Sequence, residues 1–177
     1  MKFKEQKIKG VFIIESEPFM DDRGVFRRHF CEKEFSDNGL AKGVVQSNVS
    51  ENKYAYTLRG FHYQVEPYSE GKTLSCLKGS IFDIVVDLRK DSPTYMDWIP
   101  VELNEQNRTS VHIAPGCANA FLTLEDNCLI HYYCSAAYKP EAERGIKFDD
   151  PSFNFNWPQD PKIISDKDLS HPDYKEK

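Results

Sequence analysis

The stretch 58–74, LRGFHYQVEPYSEGKTL, sets Arg59, His62 and Lys72 close together, and each type suits a different task at one reacting centre. An imidazole titrates near neutral pH, with an unperturbed pKa of about 6.5, so it can take a proton and give it back. A lysine ammonium stabilises negative charge developing on an oxygen, and a guanidinium bonds two phosphate oxygens at once. On a regular strand Arg59 and His62 would point to opposite faces, because side chains alternate. Gly60 between them predicts a β-bulge, which would swing both cations toward one ligand. A lone histidine on a strand is more commonly structural, so the case for His62 rests on its company.

Two further stretches put polar groups on a strand pattern. In residues 44–50, Gln46, Asn48 and Ser50 share one face and Val45, Ser47 and Val49 the other. Such a hydrogen-bonding face is idle on an exposed sheet but lines a polar cavity inside a barrel. Residues 81–88 form the clearest strand, with Phe82, Ile84, Val86 and Leu88 on one face and Ile81, Asp83, Val85 and Asp87 on the other. A buried Asp83 would need a partner, either a catalytic group to orient or an arginine to balance, because unpaired buried charge is costly.

These groups need a scaffold, and the local patterns supply one. Further short strands are expected at 11–14, 25–30, 98–103, 109–113, 118–124 and 128–135, with one short helix over 31–39 that Gly39 ends. Many short strands with almost no amphipathic helix predict an all-β sandwich or barrel in a single domain spanning 1–177. Among these the double-sheet jelly roll is the natural host for a central ligand cavity. Beyond Pro158 the chain turns polar, so 159–177 is expected to form a C-terminal strap over the surface, its HPDYKEK end strapped down or frayed.

Composition narrows the function classes. The chain has 177 residues and a formal charge of −5, which argues against a generic nucleic-acid binder but leaves room for a locally basic pocket built from Arg23, Arg59 and Lys72. Five cysteines, odd in number and without CxxC spacing, fit a reduced cytoplasmic protein better than a disulfide scaffold. The N-terminal KFKEQKIKG has no apolar core of a signal peptide, and no run reaches the ~20 apolar residues of a membrane span, so a soluble, unprocessed chain is expected.

LRGFHYQ with Lys72 resembles the central motif of the nucleotide-sugar epimerases typified by dTDP-4-dehydrorhamnose 3,5-epimerase. Similar segments follow in order along the chain: DDRGVF (21–26), QSNVS (46–50), GSIFDIVVDLRKDSPT (79–94), APG (114–116), YKPEAERGIKFDDP (138–151) and SDKD (165–168). The resemblance implies an all-β double-stranded β-helix, a cupin-like jelly roll with a few short helices. It implies epimerisation at C3, C5 or both of a nucleotide-linked 4-keto-6-deoxy sugar, in deoxysugar biosynthesis for cell-surface polysaccharide. His62 would be the base, Lys72 the group beside the enolate oxygen, Tyr132 the acid on the opposite face, and Asp168 the carboxylate that orients His62. A one-residue slip would exchange Tyr132 with Tyr133, and Asp166 is the alternative to Asp168. Arg23 and Arg59 would hold the diphosphate, Gln46 and Asn48 would line the site, and Tyr138 would stack on the base. A homodimer is implied too, with an exchanged N-terminal strand or a neighbour contributing to the nucleotide pocket.

Two positions depart from the family pattern. RGVFRRHF has Arg28 where a glutamate is usual, and PGCANAF has Asn119 where a histidine is usual. Both are candidate ligand contacts that would alter specificity. No cofactor is expected, since the chemistry is proton transfer alone. No metal is expected either: His29, His62, His112, His131 and His171 show neither HxH nor helical HxxxH spacing. Two other readings stand beside the epimerase: a 3,4-ketoisomerase using the same enolate, and a non-catalytic carbohydrate-binding jelly roll.

Overall fold

The structure, a computed structural model, describes residues 1–40 and 43–174. Strands dominate, and two antiparallel sheets face each other. The six-stranded sheet runs β1 (Lys2–Glu5), β2 (Phe12–Glu15), β10 (Thr109–Ile113), β7 (Lys72–Lys78), β12 (Cys128–Cys134) and β5 (Gln46–Asn52). The five-stranded sheet runs β13 (Glu143–Gly145), β6 (Leu58–Gln64), β11 (Cys117–Thr123), β8 (Ser80–Asp87) and β9 (Trp98–Asn104). A separate hairpin pairs β3 (Phe19–Asp21) with β4 (Gly24–Phe26), and the helices are short: α1 (Glu32–Asp37) and α2 (Asp166–Leu169). This is the cupin-type jelly roll, as the strand pattern and the resemblance led one to expect.

Period-two patterning decides what each face buries. Between the sheets, Leu74, Cys76, Val111, Ile113 and Ile130 of one sheet meet Ile81, Val85, Leu103 and Phe121 of the other. The outer face of the five-stranded sheet carries Phe61, Ile84, Val86, Ala118 and Ala120, covered by Ile146, Phe153 and the aromatic run to Trp157. On the outer face of the six-stranded sheet, Tyr133 and Ile14 pack under Phe35 of α1. Fully burying each large aliphatic or phenylalanine side chain among these contributes about 1.5–3 kcal/mol, so the covering segments add to the stability of the sheets they cover.

Several elements depart from the sequence expectation. The strand expected over 25–30 ends at Phe26, and Phe30 instead packs edge-on against Tyr133 at 5.5 Å. Strands β1 and β13 were not anticipated. The tail is docked as far as Tyr174, whose amide donates to Asp150 Oδ2 at 2.6 Å and whose hydroxyl lies 2.9 Å from that of Tyr95. Of the HPDYKEK end, expected to be frayed or a surface strap, residues 171–174 are the strap, and 175–177 lie outside the described residues. Among the described residues no helix is long and apolar enough to cross a membrane.

The bulge expected in β6 is present. Asn119 pairs with His62, but Phe121 pairs with Arg59, so three steps along β6 oppose two along β11. Gly60 takes φ +109, and a Cβ there would fall 2.5 Å from Asn119 O and 2.9 Å from Ala120 Cα. Gly60→Ala should therefore cost about 2–4 kcal/mol through strain and backbone clash. Urea unfolding checks this, and an unchanged midpoint would contradict it.

Candidate active site

At one end of the sandwich the core gives way to polar side chains. Alternation on the six-stranded sheet turns Gln46, Asn48 and Ser50 of β5, Lys72 of β7 and Tyr132 of β12 inward, in adjacent registers. From the opposite sheet come Arg59 and His62 of β6 and Asn119 of β11. Two chambers result. One, of about 140 Å³, lies between Ser50, Arg59, Asn119 and Phe121, and the other, of about 110 Å³, between Gln46, Asn48, Tyr138 and Glu143. His62, Lys72 and Tyr132 line both, so they stand where the chambers meet.

Because of the bulge, Arg59 and His62 share this cavity while Phe61 turns outward to stack on Phe155 at 4.3 Å. The Gly60 amide donates to Asp168 Oδ2 at 3.3 Å, and His62 Nε2 lies 2.7 Å from Asp168 Oδ1. Asp168, rather than Asp166, is thus the carboxylate beside the histidine. It is 5 % exposed. Burial pushes its carboxyl up, but the hydrogen bond and charge of His62, with the Gly60 amide and Ser165, outweigh that and hold it below the usual range. An ionised carboxylate accepts from Nε2–H, which leaves Nδ1 of His62 with its lone pair.

A carboxylate from the far end of the chain reaches β6 because the strap is pinned there. Leu58 N donates to Ile163 O at 2.9 Å and Lys162 N to Tyr56 O at 2.8 Å. Ser165 then caps α2, its hydroxyl accepting from the Asp168 amide at 3.1 Å. The Ser-x-x-Asp pattern in SDKD is the sequence signal for that cap.

Opposite His62, Tyr132 sits 5.9 Å, ring centroid to ammonium, from Lys72 Nζ. Burial raises its pKa, with help from Cys134 and Glu70 and against Arg59, so the phenol keeps its proton. Tyr133 faces the other way, donating to His29 O at 3.0 Å beneath α1. Lys72 Nζ donates to Asn119 Oδ1 at 3.3 Å and lies 3.7 Å from Glu70 Oε1. Asn119 in turn donates to Asp83 Oδ1 at 2.8 Å. Asp83 is fully buried, and burial pushes it up to about 8 against the pull of Asn119 and Lys72. Burial thus disfavours a negative charge on Asp83 beside Lys72. The arginine partner on this strand is Asp87, which takes two bonds from Arg89 at 2.8 Å.

A family model described as dTDP-4-dehydrorhamnose 3,5-epimerase matches residues 5–176. A protein of that name from Methanothermobacter thermautotrophicus is 42% identical over 170 residues, 94% of this chain and 91% of the relative. The dTDP-4-dehydrorhamnose 3,5-epimerase of Bacillus anthracis, crystallised with TDP and PPi, superposes with TM-score 0.93 at 33% identity, covering 97% of this chain and 98% of the other. A dTDP-6-deoxy-D-glucose-3,5-epimerase from Legionella pneumophila, in complex with dTDP-4-keto-L-rhamnose, gives TM-score 0.90 at 33% identity over 96% and 90%. The chain belongs to the dTDP-4-dehydrorhamnose 3,5-epimerase family. It is an isomerase of the epimerase class.

Within this epimerase the remaining anticipated residues fall into two groups. Tyr138 is at the cavity mouth, its amide donating to Gln46 Oε1 at 3.0 Å and its hydroxyl to Glu143 Oε2 at 2.6 Å. Arg59 lines the cavity and is steadied by Asn52 Oδ1 at 2.7 Å. Arg23 and Arg28 are elsewhere. The Arg23 side chain is 87% exposed in the β3–β4 turn, held by Asp21, and Arg28 binds Glu34 of α1 at 2.6 Å. Neither reaches the cavity of its own chain, because the hairpin projects away from the sandwich. Glu70 and Glu143 were missed in the sequence, since only the pairing of β13 with β6 and the approach of β7 bring them to the site, whereas Ser165 is signalled by SDKD.

A folded-state pKa above the unfolded value of about 3.9 means that Asp83 stabilises the fold at low pH and less so as pH rises from about 4 toward 8. Asp83→Asn, which keeps the acceptor for Asn119, should therefore gain stability relative to the parent at pH 8 compared with pH 5. Denaturant unfolding at both pH values tests this, and a difference that does not change with pH would contradict it.

Proposed function

We propose that the enzyme inverts C3 and C5 of a dTDP-linked 4-keto-6-deoxy sugar, taking each α-proton at His62 and returning one from Tyr132. The observation that carries this reading is the placement of His62, with Asp168 behind it, on one sheet and Tyr132 on the other, with Lys72 at the junction of both chambers. The substrate's C–H proton passes to His62 Nδ1, and the electrons move onto the C4 oxygen. Lys72 holds that enolate through charge and hydrogen bonding. Tyr132 then protonates carbon from the opposite face, and solvent restores both groups. Asp168 keeps the imidazole in the required tautomer and stabilises the imidazolium. Arg59 faces the diphosphate and Tyr138 the base, in line with the nucleotides bound by the Bacillus and Legionella relatives. Gln46 and Asn48 line the same chamber as Tyr138. A cytoplasmic setting, where sugar nucleotides are made, fits the free cysteines.

Incubation with dTDP-4-keto-6-deoxyglucose in D2O should place deuterium at both C3 and C5, read by proton NMR. His62→Ala should abolish it. Label at one carbon alone would replace the double with a single-site epimerase, and no label with folded protein would contradict the reading.

A homodimer completes this proposal. The hairpin exposes Phe19 (64%), Met20 (65%) and Phe26 (76%) around Arg23, an apolar surface that a second copy would cover. Arg23 would then serve the diphosphate of the neighbouring site. Arg23→Ala and His62→Ala variants, each weak alone, should regain activity when mixed and reassociated, because one site of the heterodimer carries both native residues. No recovery from a mixture shown to be dimeric would place Arg23 outside the site.

A further inference from the structure

His171, in the strap just after α2, has no part in the chemistry above. Its ring lies on Gly145, where a Cβ would fall 2.1 Å from Nε2 and 2.3 Å from both Cδ2 and Cε1. Three nearly equal distances put the glycine over the ring face, so the in-plane lone pair of Nε2 points away from it. That nitrogen is fully buried and has no hydrogen-bond partner among the described residues. A buried polar atom without a partner is rare and calls for an occupant.

The occupant is indicated by the neighbours. Gly145 pairs with His62 across β13 and β6, which brings His171 to the same carboxylate. His171 Nε2 lies 3.8 Å from Asp168 Oδ1, which lies 2.7 Å from His62 Nε2, and the three residues each offer one ligand atom within 4.8 Å of the others. Tetrahedral zinc, with bonds of roughly 2.0–2.2 Å, keeps its ligands roughly 3.4 Å apart, between the two shorter separations. We propose that His62, Asp168 and His171 form a binding site for a divalent transition metal of the zinc type, and that its occupation silences the enzyme. The inhibitory part rests on the reading of His62 as base. Zinc would replace the proton on His62 Nε2, released to solvent, and draw Asp168 from its orienting role. Two imidazoles disfavour magnesium and calcium, which prefer oxygen. The buried thiols are poor competitors, since burial pushes Cys76, Cys117 and Cys134 up to about 12.

The test uses the full chain, stripped with chelator, and compares it with His171→Gln, or His171→Asn where the first fails to fold. Cobalt(II) absorption and equilibrium dialysis with zinc report binding, and turnover is measured in parallel. The expected result is one metal per chain, with activity lost on zinc saturation and restored by chelator. The variant should keep its metal-free activity and bind zinc at least roughly tenfold more weakly. Binding that is equal in parent and variant, or absent from both, would overturn the site whatever the activity does. Binding that depends on His171 but leaves turnover intact would overturn the inhibition and the base assignment of His62, not the site.

Discussion

One extra residue in β6 governs the site. Without the bulge at Gly60, His62 could face the cavity only by sending Arg59 outward among the residues that bury Phe61. The bulge also frees the Gly60 amide from the ladder to meet Asp168, so the same irregularity that aims the histidine anchors its carboxylate. Glycine is required there by the approach of β11, whose Asn119 carbonyl and Ala120 occupy the space of a side chain. Asn119 belongs to the cavity as well, so the strand that excludes a Cβ at 60 also presents the amide beside Lys72.

The charges of the cavity are arranged around that frame. Lys72 and Arg59 enter from opposite sheets, and of the carboxylates near them Asp83 is pushed up to about 8 by burial. Lys72 and Arg59 therefore bring positive charge to the place where a diphosphate and an enolate would lie, on a protein whose formal charge is −5. Asn119 ties Lys72 to Asp83 through its two amide atoms. An amide in this place can relay hydrogen bonds but cannot titrate, which separates this site from one with an imidazole there.

Much of this was legible in the sequence because period-two alternation is a local property. The inward faces of β5 and β8, the outward turn of Tyr133, the end of α1 at Gly39 and the bulge at Gly60 follow from residues next to each other in the chain. What stayed hidden depends on distant partners. Strands β1 and β13 are too short and polar to signal themselves, and their existence depends on pairing with β2 and β6. For the tail through Tyr174 the sequence left a frayed end and a strap both open, because its anchors, Asp150 and Tyr95, are far away in sequence. His171 stood in the sequence only as one of five histidines without ligand spacing, because Gly145, which makes room for it, is distant in the chain. Arg23 and Arg28 carried a ligand-binding expectation that one chain does not meet, since their motif lies on a projecting hairpin and its exit.

The claim on which the mechanism turns is the protonation state of one ring. Long-range proton–nitrogen NMR of the ligand-free enzyme, labelled with nitrogen-15 at histidine and assigned with His62→Gln, reads that state without substrate. The mechanism predicts that the neutral ring of His62 carries its proton on Nε2, facing Asp168, and leaves Nδ1 bare. A proton on Nδ1 would contradict it, because the nitrogen meant to take the substrate's proton would already be occupied.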